Sequence, residues 1–325
     1  MIDLRQSKNH IVIIDGTLST LNRGQETHCG KLFKLARRVD GISRRVYYDP
    51  GVQGHGWFKW LRVASGQGLN YSIARSYRRL SEHYRDGDRI YLFGYSRGAY
   101  AVRLMSGLIS RFGLLRPEYA TREFAENTLE LFSSKLPHAV LEDYKNKYCI
   151  PSVSIEFLGV WDTVKALGLP IPFLRRYAPY GLKFRDFMVS RNVHCAAHAL
   201  AIDENRRAYR PELWVSKAPN TILKQMLFSG THSIVGGQTN NKVDASKLGN
   251  FSFQWMMDEA GQQGLELPGD WRDSFPTNAE VDVKPSKRFR FGLWRRENRK
   301  FIPPDLFMEH PSVQHHRMWL KQNLT

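Results

Sequence analysis

Short apolar runs that stop on turn-forming residues recur along the chain, and helical spacings lie between some of them. Ile11 to Ile14 is closed by Asp15-Gly16-Thr17, and β-branched residues ending on a turn signal predict a buried strand. From Asn70 to Arg85, the positions Ile73, Tyr77, Leu80 and Tyr84 recur every three or four residues. That period predicts an amphipathic helix, stopped at Asp86-Gly87-Asp88. Arg89 to Phe93 predicts a second strand, running into Gly94-Tyr95-Ser96-Arg97-Gly98; Ala99 to Leu108 then suits a helix packed on a sheet. Ser154 to Trp161 predicts a third strand, ending at Asp162-Thr163. Residues 185–201 read as a helix with Phe187, Val193, Ala197 and Leu200 on one side. Lys224 to Phe228 predicts a fourth strand, ending at Ser229-Gly230-Thr231-His232. Residues 52–70, glycine-rich with Trp57 and Trp60, read as a loop region.

Strands alternating with helices predict an α/β fold, a mostly parallel sheet with helices on both faces. Residues 1–260 are read as one α/β domain. Residues 261–325 are read as an irregular, basic and aromatic C-terminal appendage packed on it. The polar residues of interest all follow the C-terminal ends of strands, the edge where open α/β sheets bind ligands.

The serine at the second of these junctions matches G-x-S-x-G. A serine on a sharp strand-to-helix turn is held out toward a substrate, and glycines two residues away on either side let the chain fold closely around it. Its hydroxyl needs a base, and the base an orienting acid, in the chain order Ser, Asp, His. Asp162 and His232 follow strand ends in that order, so Ser96, Asp162 and His232 are the candidate catalytic residues. His194 and His198 compete for the base, since four residues apart on a helix they would share a face. No third ligand accompanies that pair, so no metal is expected. The Arg97 amide at the helix start, with Gly16 or Thr17 after the first strand, would donate to an oxyanion. Asp15 and Tyr95 at those turns are read as substrate contacts.

Composition narrows the partners. The 325 residues are 42% hydrophobic and 24% charged, an ordinary globular mixture. Lysine and arginine number 48 against 31 acids, for a net charge of +17, which favours anionic partners. Two stretches concentrate the positive charge beside aromatics. Residues 169–184 hold Phe173, Arg175, Arg176 and Lys183 and read as a lid or acyl-chain wall, with Phe173, Arg175 and Arg176 as substrate contacts. Residues 284–300 hold eight basic residues among Phe289, Phe291 and Trp294, a pattern suited to an anionic membrane surface. No RRM, KH or zinc-finger phrase supports nucleic acid, and no P-loop supports nucleotide hydrolysis. Three scattered cysteines, Cys29, Cys149 and Cys195, build no disulfide framework. With no signal peptide or membrane span legible, the chain is expected to be cytoplasmic as made, with export open only to a signal-independent route.

Several phrases together resemble one family, in family order. They are residues 14–17 (IDGT), 47–52 (YYDPGV), 91–100 (YLFGYSRGAY), 157–164 (FLGVWDTV), 198–214 (HALAIDENRRAYRPELW) and 230–237 (GTHSIVGG). A weaker match lies at 302–317. The sequence is similar to the DUF2235 group, which contains the catalytic domain of Tle1-type phospholipase effectors of type VI secretion. The resemblance implies an α/β-hydrolase core, cleavage of acyl esters without a cofactor, phospholipid substrates in secreted members, and an immunity protein as partner. It implies Ser96 as nucleophile, Asp162 as acid and His232 as base. It departs at Ile234, where the family usually carries an aspartate, and at Gln238-Thr239. A soluble carboxylesterase, or a catalytically silent basic module binding membrane or nucleic acid, are the competing expectations.

Overall fold

The structure is a computed structural model that describes residues 7–39, 43–53, 67–164, 188–283, 297–299, 301 and 304–323. β1 (Asn9–Ile14) pairs in parallel with β2 (Arg44–Asp49) on one side and β3 (Arg89–Tyr95) on the other. β3 pairs with β6 (Ile155–Trp161), β6 with β7 (Val193–Ala201), and β7 with β8 (Ile222–Phe228), again in parallel. A short β9 (Met308–Glu309) adds to β8, so the order across the seven strands is β2-β1-β3-β6-β7-β8-β9. β4 (Leu114–Leu115) and β5 (Cys149–Ile150) form a separate antiparallel pair.

Alternating side chains of the central strands feed two cores. Val12, Ile14, Leu92, Leu158 and Val160 pack against α2 (Gln67–His83) and α3 (Arg97–Phe112) through Ile73, Tyr77, Leu104 and Leu108. Ile11, Ile13, Tyr91, Phe93, Phe157 and Trp161 pack on the opposite face, against Leu32 and Leu35 of α1 (His28–Ala36). Phe253 and Met256 join that second core. They belong to the long helix Val243–Gln262, numbered α7. Both faces are therefore covered, and the strands read as continuous apolar runs because neither side meets water. α4 (Arg122–Ser133) and α5 (His138–Tyr148) lie between β4 and β5 in the chain, and α8 (Pro311–Asn323) follows β9.

The predicted strands at Ile11, Arg89, Ser154 and Lys224 and the helices at Asn70 and Ala99 all form, with ends shifted by a few residues. The helix expected over 185–201 does not. Residues 193–201 are strand β7, residues 188–192 are not helical, and 185–187 lie outside the described residues. Alanine favours helix locally, but this segment is hydrogen-bonded on both edges, to β6 and β8. Burial on both faces also removes the polar alternation that would have marked a strand. Along a strand four residues span about 13 Å, so His194 and His198 cannot share a metal as they would on a helix. His194 is exposed and His198 fully buried. Among the described residues, no helix is long and apolar enough to cross a membrane.

Candidate active site

Three strand ends meet at the C-terminal edge of the sheet. Ser96 follows β3 and caps α3 with φ 57°, ψ −119°, a left-handed-side conformation that costs a non-glycine residue roughly 1–3 kcal/mol. Close packing enforces it. A Cβ on Gly98 would collide with the carbonyls of Ile14 and Asp15, and one on Gly94 would lie 2.5 Å from the Gly98 carbonyl. The G-x-S-x-G spacing thus lets β1, β3 and the start of α3 approach one another around the serine. Asp162 follows β6, also at positive φ (41°) and fully buried. His232 follows β8 as the first residue of α6 (His232–Val235).

The three side chains form one line of hydrogen bonds. Ser96 Oγ lies 2.9 Å from His232 Nε2, and His232 Nδ1 lies 2.6 Å from Asp162 Oδ2. With Asp162 ionised, Nδ1 carries the proton and donates to the carboxylate, leaving Nε2 to accept from the serine hydroxyl. The imidazole lies against two aromatic rings, Tyr95 stacked at 4.9 Å and Tyr209 tilted at 4.7 Å between centroids. The Arg206 guanidinium lies over the Tyr209 ring at 4.0 Å. These flat neighbours fix the plane of the base without competing for its nitrogens.

Asp162 is held by more than His232. Arg299 grips both oxygens, Nη1 to Oδ1 at 2.6 Å and Nη2 to Oδ2 at 2.8 Å, and the Ala201 amide donates to Oδ1 at 3.0 Å. Burial pushes the carboxyl upward, but the charge and hydrogen bonds of Arg299, with those of His232, outweigh it and hold the group well below the usual carboxylate range. Sequence reasoning missed Arg299, which lies in the basic stretch read as a membrane-facing surface. No local signal separates it from its seven basic neighbours there.

Ile234 packs with Leu248 and Val281. Glu204 accepts the His232 amide at 3.2 Å and pairs with Arg206 at 2.6 Å. Glu204 was legible only as one residue of the phrase 198–214. His198, the rival base, turns Nε2 to the Thr163 amide at 3.2 Å rather than to Ser96. Burial, then the charge of Arg103, pushes it down to about 3, so it stays neutral and braces the turn that carries Asp162.

The remaining expected residues divide. Arg97 opens α3, with its backbone amide at the helix start. Gly16 donates its amide to Asp15 Oδ1 at 2.6 Å, so that donor is already engaged. Thr17 Oγ1 is buried with no hydrogen-bond partner among the described residues. Asp15 and Tyr95, read as substrate contacts, take other places. Asp15 is buried and accepts from Ser19, Thr27 and Tyr48 as well as Gly16, which pins the loop after β1. Burial pushes its carboxyl up to about 6 against those hydrogen bonds. Tyr95 is buried and donates its hydroxyl to the His232 carbonyl at 3.3 Å, so it supports the base. Phe173, Arg175 and Arg176 lie outside the described residues, as does the basic stretch up to residue 296.

A family model described as the catalytic domain of Tle1-like phospholipase effectors of the type VI secretion system matches residues 8–259. An uncharacterized protein of Saccharomyces cerevisiae is 27% identical over 233 residues, 62% of this chain and 32% of its own length. An uncharacterized Pseudomonas aeruginosa crystal structure matches with a TM-score of 0.46 and 16% identity, covering 84% of this chain and 50% of that one. A Tle1 effector bound to the VgrG spike matches with a TM-score of 0.40 and 17% identity, covering 72% and 51%. The chain thus spans about a third of the curated relative it matches, at 32%, and about half of these two solved chains, at 50% and 51%. The matched span contains all three strand ends of the site, and the chain belongs to the family of Tle1-like phospholipase effector catalytic domains.

Proposed function

We propose that this protein is a serine hydrolase of lipid esters, with phospholipid as substrate class, working through an acyl-enzyme on Ser96. The carrying observation is the unbroken line from Ser96 Oγ through His232 to Asp162, at 2.9 and 2.6 Å, with the serine at positive φ on the strand-to-helix turn. Ser96 Oγ attacks the ester carbonyl carbon while His232 Nε2 takes its proton. The carbonyl oxygen becomes an oxyanion, for which the Arg97 amide and the Thr17 amide are the assigned donors; Gly16 is already committed to Asp15. Collapse breaks the ester bond, and His232 returns the proton to the departing alcohol. Water, deprotonated by His232, then releases the fatty acid and regenerates Ser96. Asp162 stays ionised throughout, fixing the tautomer and stabilising the imidazolium. Family membership supports the lipid part of this reading, and delivery by the type VI apparatus into a target cell is the corresponding proposal for where it acts.

A fluorophosphonate probe should label the wild type at Ser96 and leave Ser96→Ala unlabelled. Phosphatidylethanolamine–phosphatidylglycerol vesicles should yield free fatty acid with the first protein and none with the second. Labelling that persists in Ser96→Ala would sink the serine assignment. Labelling without lipid hydrolysis, together with turnover of short soluble esters, would replace the phospholipid with a small ester.

A further inference from the structure

The arginine on Asp162 comes from an unexpected part of the chain. The family match ends at residue 259, and Arg299 lies 40 residues beyond it. Its side chain is 3% exposed, and its hydrogen bonds are made by the two terminal nitrogens, while Nε has no partner among the described residues. Nη1 donates to Asp162 Oδ1 and to the Ala201 carbonyl at 2.7 Å; Nη2 donates to Asp162 Oδ2 and to the Tyr209 carbonyl at 2.6 Å. One side chain therefore joins the end of β6, the end of β7 and the turn whose tyrosine ring covers the imidazole. Two residues earlier, the Glu297 amide donates to the Asn205 carbonyl at 2.7 Å and anchors the segment to the same turn.

We propose that Arg299 is a positioning residue for the hydrolytic site, supplied by the C-terminal segment, which locks the Asp162 carboxylate and the cover over His232 in place. This rests on the serine-hydrolase reading above. The lock has an electrostatic consequence. Asp162 is shared between a permanent cation and the imidazole, so Arg299 opposes the extra proton that His232 gains in the transition state. Removing the guanidinium frees the carboxylate to hold that proton more strongly and lets it move. Besides Asp162 and Arg299, the groups facing the imidazole are Glu204 through the His232 amide, Arg206 beyond Tyr209, Tyr95 and Tyr209 themselves, and His198 behind the Asp162 turn.

The test uses the full chain and the rate of fluorophosphonate labelling between pH 5 and 9, for wild type, Ser96→Ala, Arg299→Ala and Arg299→Lys, with folding followed by circular dichroism. Arg299→Ala should label about 10²-fold more slowly, the loss that a displacement of roughly 1 Å produces. The acid limb of its pH profile should move upward by about one pH unit, the effect of one neighbouring charge. Arg299→Lys, which keeps the charge but not the fork, should restore the acid limb and only part of the rate. Millimolar methylguanidinium should restore both in Arg299→Ala. A folded Arg299→Ala with the wild-type rate and acid limb overturns the inference. So does one whose slow labelling keeps the wild-type acid limb and is restored neither by lysine nor by methylguanidinium, for then the arginine only stabilises the fold. A wild type that is not labelled at Ser96 sinks the hydrolase reading itself, an outcome distinct from both.

Discussion

Two buried histidine–aspartate pairs sit at opposite ends of the same sheet. At the N-terminal end, His10 Nε2 lies 2.9 Å from Asp88 Oδ2 and Nδ1 lies 3.1 Å from the Tyr47 hydroxyl. At the C-terminal end, His232 Nδ1 lies 2.6 Å from Asp162 Oδ2 and Nε2 lies 2.9 Å from the Ser96 hydroxyl. The inventories are nearly the same: a carboxylate, an imidazole and a hydroxyl. The settings are not. Tyr47 stands in an ordinary strand, whereas Ser96 and Asp162 both stand at positive φ. Asp88 accepts the backbone amides of Lys8 and Arg85 and so clasps the start of β1 to the turn before β3. Asp162 accepts one backbone amide, from Ala201, and is gripped by a guanidinium as well. A histidine–aspartate pair alone is thus a packing device. Strained backbone, a hydroxyl at the C-terminal edge of the sheet and a cation behind the acid set apart the pair proposed to do chemistry.

The sharpest way to break this contrast is to cut each pair in turn. Asp162→Asn should lower the rate of labelling and of ester turnover by roughly 10⁴-fold, because the imidazole loses its tautomer and its counter-charge. Asp88→Asn and His10→Ala should leave both rates unchanged. Their effect should fall on stability, about 1–3 kcal/mol by urea unfolding, the cost of a buried polar group left without its partner. Loss of activity in a folded His10→Ala would erase the distinction.

The chemical end was far more legible in the sequence than its supports. Each strand-to-turn junction carries its own signal within about ten residues, so apolar runs and chain order proposed Ser96, Asp162 and His232, with His194 and His198 as rival bases, and the structure brings the first three within hydrogen-bond distance of one another. β7 was misread because its neighbours, not its own residues, make it a strand, and alanines without polar alternation mimic a helix. Arg299 was invisible for a related reason. It acts on a carboxylate 137 residues away, and its neighbourhood carries the composition of an exposed basic face. Local patterns report what a residue's neighbours in sequence require, and a buried ion pair is required only by the fold.

Glu204 sharpens the comparison on the active side. Glu204 reaches the His232 amide from the loop after β7. Glu204→Ala should slow labelling roughly ten-fold, the worth of one hydrogen bond to a charged group. Glu204→Gln should lose less, since its amide oxygen still accepts from the His232 backbone. Equal losses in the two variants would mean that the charge, and its pairing with Arg206, matters more than the hydrogen bond.

The smallest effect concerns pH. Burial lowers the His10 pKa from its ordinary 6.5, although its contact with Asp88 raises it in part; Arg45 and His83 lower it further. The folded protein therefore refuses a proton that the unfolded chain accepts. The resulting stability is fully present above pH 6.5 and is lost as the pH falls below it, the unfolded state binding more protons throughout that window. His28, His198 and His310 are lowered in the same direction, so they contribute to the same acid loss. His10→Gln should remove only its own share. Urea midpoints measured from pH 7.5 down to pH 5 should fall less steeply for the variant than for the wild type, while labelling of Ser96 keeps its wild-type pH profile. Parallel midpoint curves would show that Asp88 holds the His10 proton in the folded state, which would make the two pairs electrostatically alike and leave backbone strain and Arg299 as the differences between them.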